Sequence, residues 1–227
     1  MEEAKKKVKI RILKNGAYVV TGNVQLDEKI ISPKGKEYIF IDGNKLPQSE
    51  EYELCRCGKS RNAPFCDGYH EKFGFNGTET ASRAKFEDRA DLIEGPNLNL
   101  LDDHRCALAR FCHREEGSAW HLTRNSDNRQ YKDEAIIAAI ECPAGRIVAI
   151  DKAGHSIEPE YEPSISIIQD PEKRVSAGIF VKGNIPIESS DGHIYEIRNR
   201  VMLCRCGQSK NKPFCDSSHI QVKFLDK

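Results

Sequence analysis

One stretch of sixteen residues occurs twice in this chain. Residues 55–70 read CRCGKSRNAPFCDGYH and residues 204–219 read CRCGQSKNKPFCDSSH, so 11 of the 16 positions are identical. The similarity extends upstream, because residues 18–26 (YVVTGNVQL) correspond to residues 179–187 (IFVKGNIPI). A repeat that includes both a cysteine motif and the segment before it is typical of a duplicated structural unit. We therefore predict two related units in one chain.

Both units have the sequence pattern of short β-strands. They are rich in Val, Ile, Tyr and Phe and are interrupted by turn residues. In the first unit we predict strands at residues 8–13, 18–21 and 38–41, with a turn at Asn15-Gly16. The segment between the repeated strand and the cysteine motif is about a dozen residues longer in the first unit than in the second. This extra length predicts a longer hairpin around Lys34-Gly35 and Asp42-Gly43.

The middle of the chain differs from both repeats. Helix-like patterns occur at residues 103–112 and 132–141, and a strand-like pattern follows at residues 146–150. We predict an α+β protein that is mainly β, with a small α+β domain inserted between the two β units. The predicted boundaries are residues 1–80 for the first unit, 81–172 for the middle segment and 173–227 for the second unit.

The charge balance argues against polyanionic partners. Lys and Arg number 35, Asp and Glu number 35, and the net charge is zero, so there is no net field to hold nucleic acid or an anionic membrane. The longest fully apolar run, residues 135–140, is far shorter than the roughly 20 residues that cross a bilayer. Residues 1–7 lack the apolar region of a signal peptide. We expect a cytoplasmic protein with no membrane anchor and no nucleic-acid partner.

The cysteines point to metal binding. There are 9 of them, an odd and clustered set, whereas a disulfide framework favours an even number in a short secreted chain. In the first repeat Cys55 and Cys57 are two residues apart in an extended loop, so their sulfurs point to one side. Cys66 and His70 are four apart and face the same side of a helical turn, for which Asp67 is a suitable cap. We expect these four side chains to converge.

Spacing alone leaves the metal open. Three thiolates and one imidazole suit a structural zinc ion, and they also suit a 2Fe-2S cluster with two ligands on each iron. The C-x-C pair with a gap of eight residues before the next cysteine is unlike the usual zinc-finger spacing and favours iron. The alternative without metal is a pair of structural thiols and a surface histidine, which the exact repetition of all four residue types disfavours.

The motif C-x-C-x2-S-x3-P-x-C-D-G-x-H resembles the CDGSH iron-sulfur signature of the mitoNEET family, and residues 16–24 are similar to that family's strand before the cluster. The resemblance implies a 2Fe-2S cluster in each repeat. The implied ligands are Cys55, Cys57, Cys66 and His70 in the first repeat, and Cys204, Cys206, Cys215 and His219 in the second. The second repeat departs from the motif at Ser217 and Ser218. These differences bear on the reduction potential of the cluster and leave its ligands unchanged.

Familiar members of that family are homodimers whose subunits exchange a strand. Because both motifs lie here in one chain, the resemblance implies an intramolecular pseudo-dimer in which residues 1–75 pack against residues 176–227. We accordingly expect a monomer with an internal pseudo-twofold axis.

The remaining thiols are Cys106, Cys112 and Cys142, and their pattern is similar to a divergent single-cluster ferredoxin-type segment. Together they would hold a third iron-sulfur cluster, with His104 or His113 as a further ligand. A straight helix would put Cys106 and Cys112 on different faces, since six residues turn through roughly 600°. A shared metal therefore requires a broken helix, and the alternative is three buried structural thiols.

These observations favour an electron-transfer or cluster-transfer protein whose redox or cluster-acceptor partner the sequence does not identify. We expect a carrier and not an enzyme, because no recognisable phosphate-binding loop or nucleophile elbow is present. The alternatives are a zinc-binding interaction module and an oxidoreductase with a substrate site in the middle segment.

Overall fold

The computed structural model describes residues 7–226 of the chain. Residues 1–6, which hold most of the amino-terminal stretch discussed above, and residue 227 lie outside the described residues. The strands are β1 (Lys9–Ile12), β2 (Tyr18–Thr21), β3 (Gln25–Lys34), β4 (Glu37–Lys45), β5 (Glu51–Leu54), β6 (Asp91–Glu94), β7 (Asn99–Asp102), β8 (His113–Arg114), β9 (Gly117–Ser118), β10 (Ile147–Ile150), β11 (Ser156–Ile157), β12 (Ser164–Asp170), β13 (Val175–Lys182), β14 (Ile187–Glu188) and β15 (Arg200–Leu203). The helices are α1 (Tyr69–Lys72), α2 (Phe86–Arg89), α3 (Ala119–Arg124), α4 (Arg129–Ile140) and α5 (Ser218–Gln221).

The two repeats exchange strands. One sheet has the order β14-β1-β2-β5, so a strand from the second repeat completes the sheet of the first. The other sheet has the order β15-β13-β12-β3-β4, so two strands that follow β2 in the chain extend the sheet of the second repeat. Both junctions between the halves are parallel pairings, β1 with β14 and β3 with β12.

The longer hairpin predicted in the first repeat is β3-β4. Its turn contains Gly35 at a φ of +64°, a left-handed conformation that glycine adopts without steric cost. Asp42 and Gly43 lie within β4, where the pairing with β3 shifts register.

One apolar core lies between the repeats. Alternate residues of β1 (Ile10 and Ile12) and of β2 (Tyr18 and Val20) point into it, and they meet inward-facing residues of β12, β13 and β15. Its buried members include Ile10, Tyr18, Val20, Leu54, Ile165, Ile179, Val181, Ile187, Leu203 and Phe214. A shared core with exchanged strands agrees with the expected pseudo-dimer, and the predicted mainly-β α+β class is confirmed.

The middle segment forms a sheet of its own, in the order β11-β10-β7-β6, with α3 and α4 packed on it. The helix predicted at residues 132–141 is α4, whose first amides bond to the side chain of Asn128. β12 lies near the end of the predicted middle segment and pairs with strands of both repeats.

The helix predicted at residues 103–112 is wrong. These residues form an irregular loop in which His104, Leu108 and Arg110 have positive φ angles. Nearby side chains accept hydrogen bonds from backbone N–H groups that would otherwise bond within a helix. The Asp102 carboxylate accepts from the backbone N–H of His104, and the Cys106 sulfur accepts from that of Leu108. The apolar pattern of this segment therefore reflects packing of a loop.

Among the helices described for residues 7–226, none has the length and apolar character needed to cross a membrane.

Candidate metal centres

The first cysteine motif is held at the end of β5. Leu54 forms an isolated bridge with Phe65, the backbone N–H of Cys55 donates to the Pro64 carbonyl at 2.8 Å, and that of Cys66 donates to the Glu53 carbonyl at 2.9 Å. These bonds close the loop at its base. They therefore bring Cys66 back beside the residues that precede Cys57.

The four predicted ligands of this loop form two pairs. The sulfurs of Cys55 and Cys57 are 3.6 Å apart, and the Cys66 sulfur is 3.4 Å from Nδ1 of His70. The Asp67 carboxylate orients the second pair, because it accepts from the backbone N–H groups of Tyr69 and Arg61.

The second motif repeats this construction. Its sulfur–sulfur distance between Cys204 and Cys206 is again 3.6 Å, and the Cys215 sulfur is again 3.4 Å from Nδ1 of His219. Asp216 accepts from the backbone N–H groups of Ser218 and Lys210, as Asp67 does in the first motif. The two sites are therefore built alike down to their supporting hydrogen bonds.

Each C-x-C pair favours one thiolate. The hydrogen bond from Cys57 lowers the pKa of Cys55 to about 5, and that from Cys206 lowers the pKa of Cys204 to about 7. Backbone amides of the loop glycine and serine add to this, while the pKa of each donor thiol is raised by the same bond. A site that already stabilises a thiolate is suited to a metal cation.

The two histidines differ in exposure. The His70 side chain is 14% exposed, whereas His219 as a whole residue is 2% exposed. Burial lowers the pKa of His219 to about 4, so its ring stays neutral, and therefore able to bind metal, well into the acidic range.

A buried arginine braces each loop. Arg56 donates to the carbonyls of Leu13, Gly16 and Gly77, all in the first repeat. Its counterpart Arg205 donates to the carbonyls of Ile168 in β12 and Ala177 in β13 and pairs with Asp226. The sequence carries the signal for this role, because the central residue of C-x-C is arginine in both copies.

Tyr18 ties the first repeat to the second motif, and sequence reasoning did not find it. Its buried hydroxyl donates to the Cys204 carbonyl at 2.8 Å and lies 3.1 Å from the Pro213 carbonyl. The aligned position in the second repeat is Ile179, so comparison of the repeats offered no signal for this bond.

The two cysteine loops also touch each other directly. A Cβ added at Gly58 would lie 2.5 Å from the Cys206 carbonyl oxygen, and one added at Gly207 would lie 2.5 Å from that of Cys57. Both glycines have positive φ angles. Glycine is therefore required twice over here, for its backbone conformation and for the close approach of the other loop.

The middle thiols border one small cavity beside the irregular loop. This cavity is lined by Cys106, Cys112 and Cys142, together with Arg146 and Trp120. Partial burial raises the pKa of Cys112 to about 12, and the two neighbouring thiols add to this effect.

The two histidines suggested as further ligands are not at this cavity, so that expectation is wrong. His104 lies against Asp91 and Asp102, and His113 is an exposed residue of β8.

The donor set of each motif fits a cofactor with two metal atoms. Within residues 7–226, no three His, Cys, Asp or Glu side chains are gathered closely enough to surround one metal ion. Each set of four donors contains two close pairs, and a 2Fe-2S cluster takes two protein ligands on each iron. Three thiols and an imidazole are donors that such clusters accept.

Duplicated loops of this kind define a metal-binding protein. The family described as "Iron-binding zinc finger CDGSH type" matches residues 15–71 and residues 177–220. Both regions match this family, and the chain therefore contains two units of the CDGSH type. No curated protein and no solved structure matches the chain significantly.

The left-handed residue before each motif helix gives a stability prediction. Gly68 has a φ of +76° and Ser217 a φ of +69°, and a Cβ at Gly68 would meet nothing within 4 Å. We expect Ser217→Gly to stabilise the fold by about 1 kcal/mol, and Gly68→Ser to destabilise it by a similar amount, because the strain of the left-handed conformation outweighs the hydrogen bond that the Ser217 hydroxyl donates to the Asp216 carbonyl. Urea unfolding of both variants measures this. A stabilised Gly68→Ser variant would contradict the argument.

Proposed function

We propose that the chain holds one 2Fe-2S cluster in each CDGSH unit and acts as an electron carrier. The observation that carries the proposal is the division of each ligand set into a Cys–Cys pair and a Cys–His pair. When bound, the cluster supplies one-electron redox chemistry between ferric and ferrous iron.

The residues of the chain have separate tasks in this proposal. The C-x-C cysteines would hold one iron of each cluster, and the third cysteine and the histidine would hold the other. The arginine of each C-x-C motif, Arg56 or Arg205, braces the loop from behind, so little rearrangement accompanies electron transfer. Backbone amides near the sulfurs stabilise the negative charge of the thiolates.

Burial of the second site favours electron transfer over handover of a whole cluster. Cys204, Cys206, Cys215 and His219 are all buried, and an acceptor protein would have to reach them to take the cluster. An electron needs no such opening. The partner is accordingly a redox protein, and the chain is a carrier and not an enzyme, working as a monomer with an internal pseudo-twofold axis.

Metal analysis of anaerobically purified protein tests this proposal. We expect about four irons and about four acid-labile sulfides per chain from the two CDGSH units, with a coloured visible spectrum. The variant Cys55→Ser/Cys57→Ser should lose about half of that iron, and the matched variant Cys204→Ser/Cys206→Ser the other half. Stoichiometric zinc without sulfide would contradict the cluster assignment and favour the zinc-binding module.

A third cluster at Cys106, Cys112 and Cys142 is a second candidate, supported by the common cavity that these thiols line. The broken helix that a shared metal requires is present in the loop of residues 103–112. Arg146 lies at the same cavity, and its charge would offset that of a thiolate at Cys106.

Replacing the three middle cysteines with Ser tests that candidate. We expect the triple variant to lose more than about two irons while the absorption of the CDGSH units is unchanged, because their ligands are untouched. Iron content and visible spectra of the variant and the unmodified chain give the answer. An equal iron content in both proteins would show that the three thiols bind no iron and serve only in packing.

A further inference from the structure

The sheet of the middle segment has a second apolar face, opposite to the one on which α3 and α4 pack. Side chains alternate between the two faces of a strand, and the helices cover the face that carries Leu100 and Ile147. On the other face, Leu101 of β7 lies between its paired residues Leu92 of β6 and Val148 of β10. The face of an antiparallel sheet that is not packed on helices is usually polar. An apolar row in this position therefore indicates a further contact.

A groove of about 870 Å³ lies over this second face, between the middle sheet and the second CDGSH unit. Leu101 and Val148 line it from the sheet, and Ile197 lines it from the segment that precedes β15. Ile197 is 51% exposed, and Leu92 at the edge of the same sheet face is 55% exposed. Because these side chains adjoin one groove and are not scattered singly, they form a surface on which a partner can pack.

The charges that line the groove are mostly negative. The lining contains five glutamates and one arginine, so the local field favours a cation, although the chain as a whole has no net charge. The arginine is Arg198, whose guanidinium lies 3.7 Å from the ring centroid of Phe86. One of the glutamates, Glu158, is already neutralised by its ion pair with Arg200. The remaining glutamates outnumber the single arginine.

Three of these glutamates keep their charges available to a ligand. Glu87, Glu160 and Glu162 are exposed, and within the described part of the chain their carboxylates form no ion pair. Residues 158–163 read EPEYEP, and their prolines favour an extended chain. Residues two apart in an extended chain point to the same side, so Glu160 and Glu162 present their carboxylates together. The groove thus complements cationic side chains that flank an apolar one.

The openness of the groove favours a polypeptide over a small molecule. Small-molecule sites bury most of their ligand and hold it by a few converging polar groups. Here the three unpaired carboxylates are exposed and lie on two separate segments of the chain, and exposed ion pairs are individually weak. A ligand must therefore engage several carboxylates and the apolar surface at once, which a short protein segment can do.

We propose that this groove is the docking site for a segment of a partner protein in which Lys or Arg residues flank a large apolar side chain. The apolar side chain packs on the sheet face beside Ile197, and the cationic groups pair with the carboxylates of Glu87, Glu160 and Glu162. None of the predicted cluster ligands lines the groove. The inference is therefore independent of the proposed function, and its tests do not depend on iron.

Selection from a display library of random peptides tests the proposal without assuming a partner sequence. The full-length chain is the bait, and peptides that also bind the variant Glu87→Gln/Glu160→Gln/Glu162→Gln are removed. We expect the retained peptides to be enriched in Lys or Arg on both sides of a large apolar residue. Retained peptides that are acidic, or that lack an apolar residue, would overturn the proposal, and so would the absence of any enrichment.

Fluorescence anisotropy with the labelled peptide KRLFKR measures the part played by the charges. We expect binding to be about tenfold weaker in the triple glutamine variant, because three weak ion pairs are lost together. The matched control Glu94→Gln/Glu116→Gln/Asp127→Asn removes the same charge from exposed positions outside the groove and should bind as the unmodified chain does. Equal weakening in both triple variants would show a nonspecific attraction between charges and would overturn the docking site.

Two exposed isoleucines of the same segment test the apolar contact. Ile197 lines the groove, whereas Ile194, which is 46% exposed, does not. We expect Ile197→Ser to weaken the binding of KRLFKR about fivefold, because an apolar contact is lost, and Ile194→Ser to leave it unchanged. Equal affinities in the two variants would contradict the packing of an apolar side chain in the groove.

Two further probes separate a peptide site from the alternatives. The peptide ERLFER keeps the apolar residues and replaces the outer cations with carboxylates, so it should not bind. Phenethylamine carries one cation on one small ring, and we expect it to displace KRLFKR only at far higher concentrations. Binding of ERLFER as tight as that of KRLFKR would refute the charge complementarity. Displacement by phenethylamine at the concentration of the peptide would identify a small-molecule site and overturn the proposal.

Discussion

At pH 5.5 the first CDGSH site should lose its cluster well before the second. A protonated imidazole cannot bind metal, so acid releases iron wherever protons reach the histidine ligand. Burial lowers the pKa of His219 to about 4, and at pH 5.5 only about 3% of such rings are protonated. The His70 side chain is partly exposed and borders an open cavity. We therefore expect two phases of decay in visible absorbance, with rates at least about tenfold apart.

Two matched variants assign these phases. Replacing His70 with Cys keeps four ligands at the first site and removes its titratable ring, so the fast phase should disappear. The variant His219→Cys should keep the fast phase and alter only the slow one. A single phase in the unmodified chain, or a fast phase that survives in His70→Cys, would show that histidine exposure does not control release.

Replacing Arg200 with Met should destabilise the protein by about 3 to 5 kcal/mol, because removal of this buried arginine would leave its carboxylate partner and several carbonyls without a donor. The Arg200 side chain is fully buried and pairs with Glu158 through two nitrogens, at 2.7 Å and 2.8 Å. It also donates to the carbonyls of Ala139, Ile140 and Cys142 at the end of α4. One side chain of β15 thus holds the middle domain to the second CDGSH unit.

Urea unfolding of Arg200→Met measures the loss. The control is Arg11→Met, an exposed arginine of β1 whose replacement should change stability by no more than about 0.5 kcal/mol. Similar midpoints for the two variants would contradict the role given to Arg200.

Much of the fold and the ligand pairing follows from the sequence because the relevant signals are local. The turn at Asn15-Gly16, the hairpin at Lys34-Gly35 and the helix α4 all arise from short-range preferences of neighbouring residues. The ligand pairs arise in the same way, since residues two apart in a loop and four apart around a turn come together whatever surrounds them.

The errors and omissions come from interactions that spacing does not encode. Residues 103–112 have an apolar pattern compatible with a helix. Their backbone N–H groups instead donate to nearby short side chains, and the loop packs on the second repeat. His70 and His219 differ in exposure although their motifs are nearly identical, and the helix α5 that carries His219 packs on β13, which the motif spacing does not reveal. The bond from Tyr18 to Cys204 likewise spans 186 residues.

The strand exchange between the repeats also has a consequence for biosynthesis. A ribosome completes the first CDGSH motif long before it makes β12 and β14, yet β3 and β1 pair with those later strands. Until then the early strands have unpaired edges and an uncovered apolar face, the state in which nascent chains aggregate. Pairings between such distant segments also slow folding, since a long loop must close first. Iron should therefore be inserted after translation has finished, and a chain cut between its two repeats should fold only when both pieces are present.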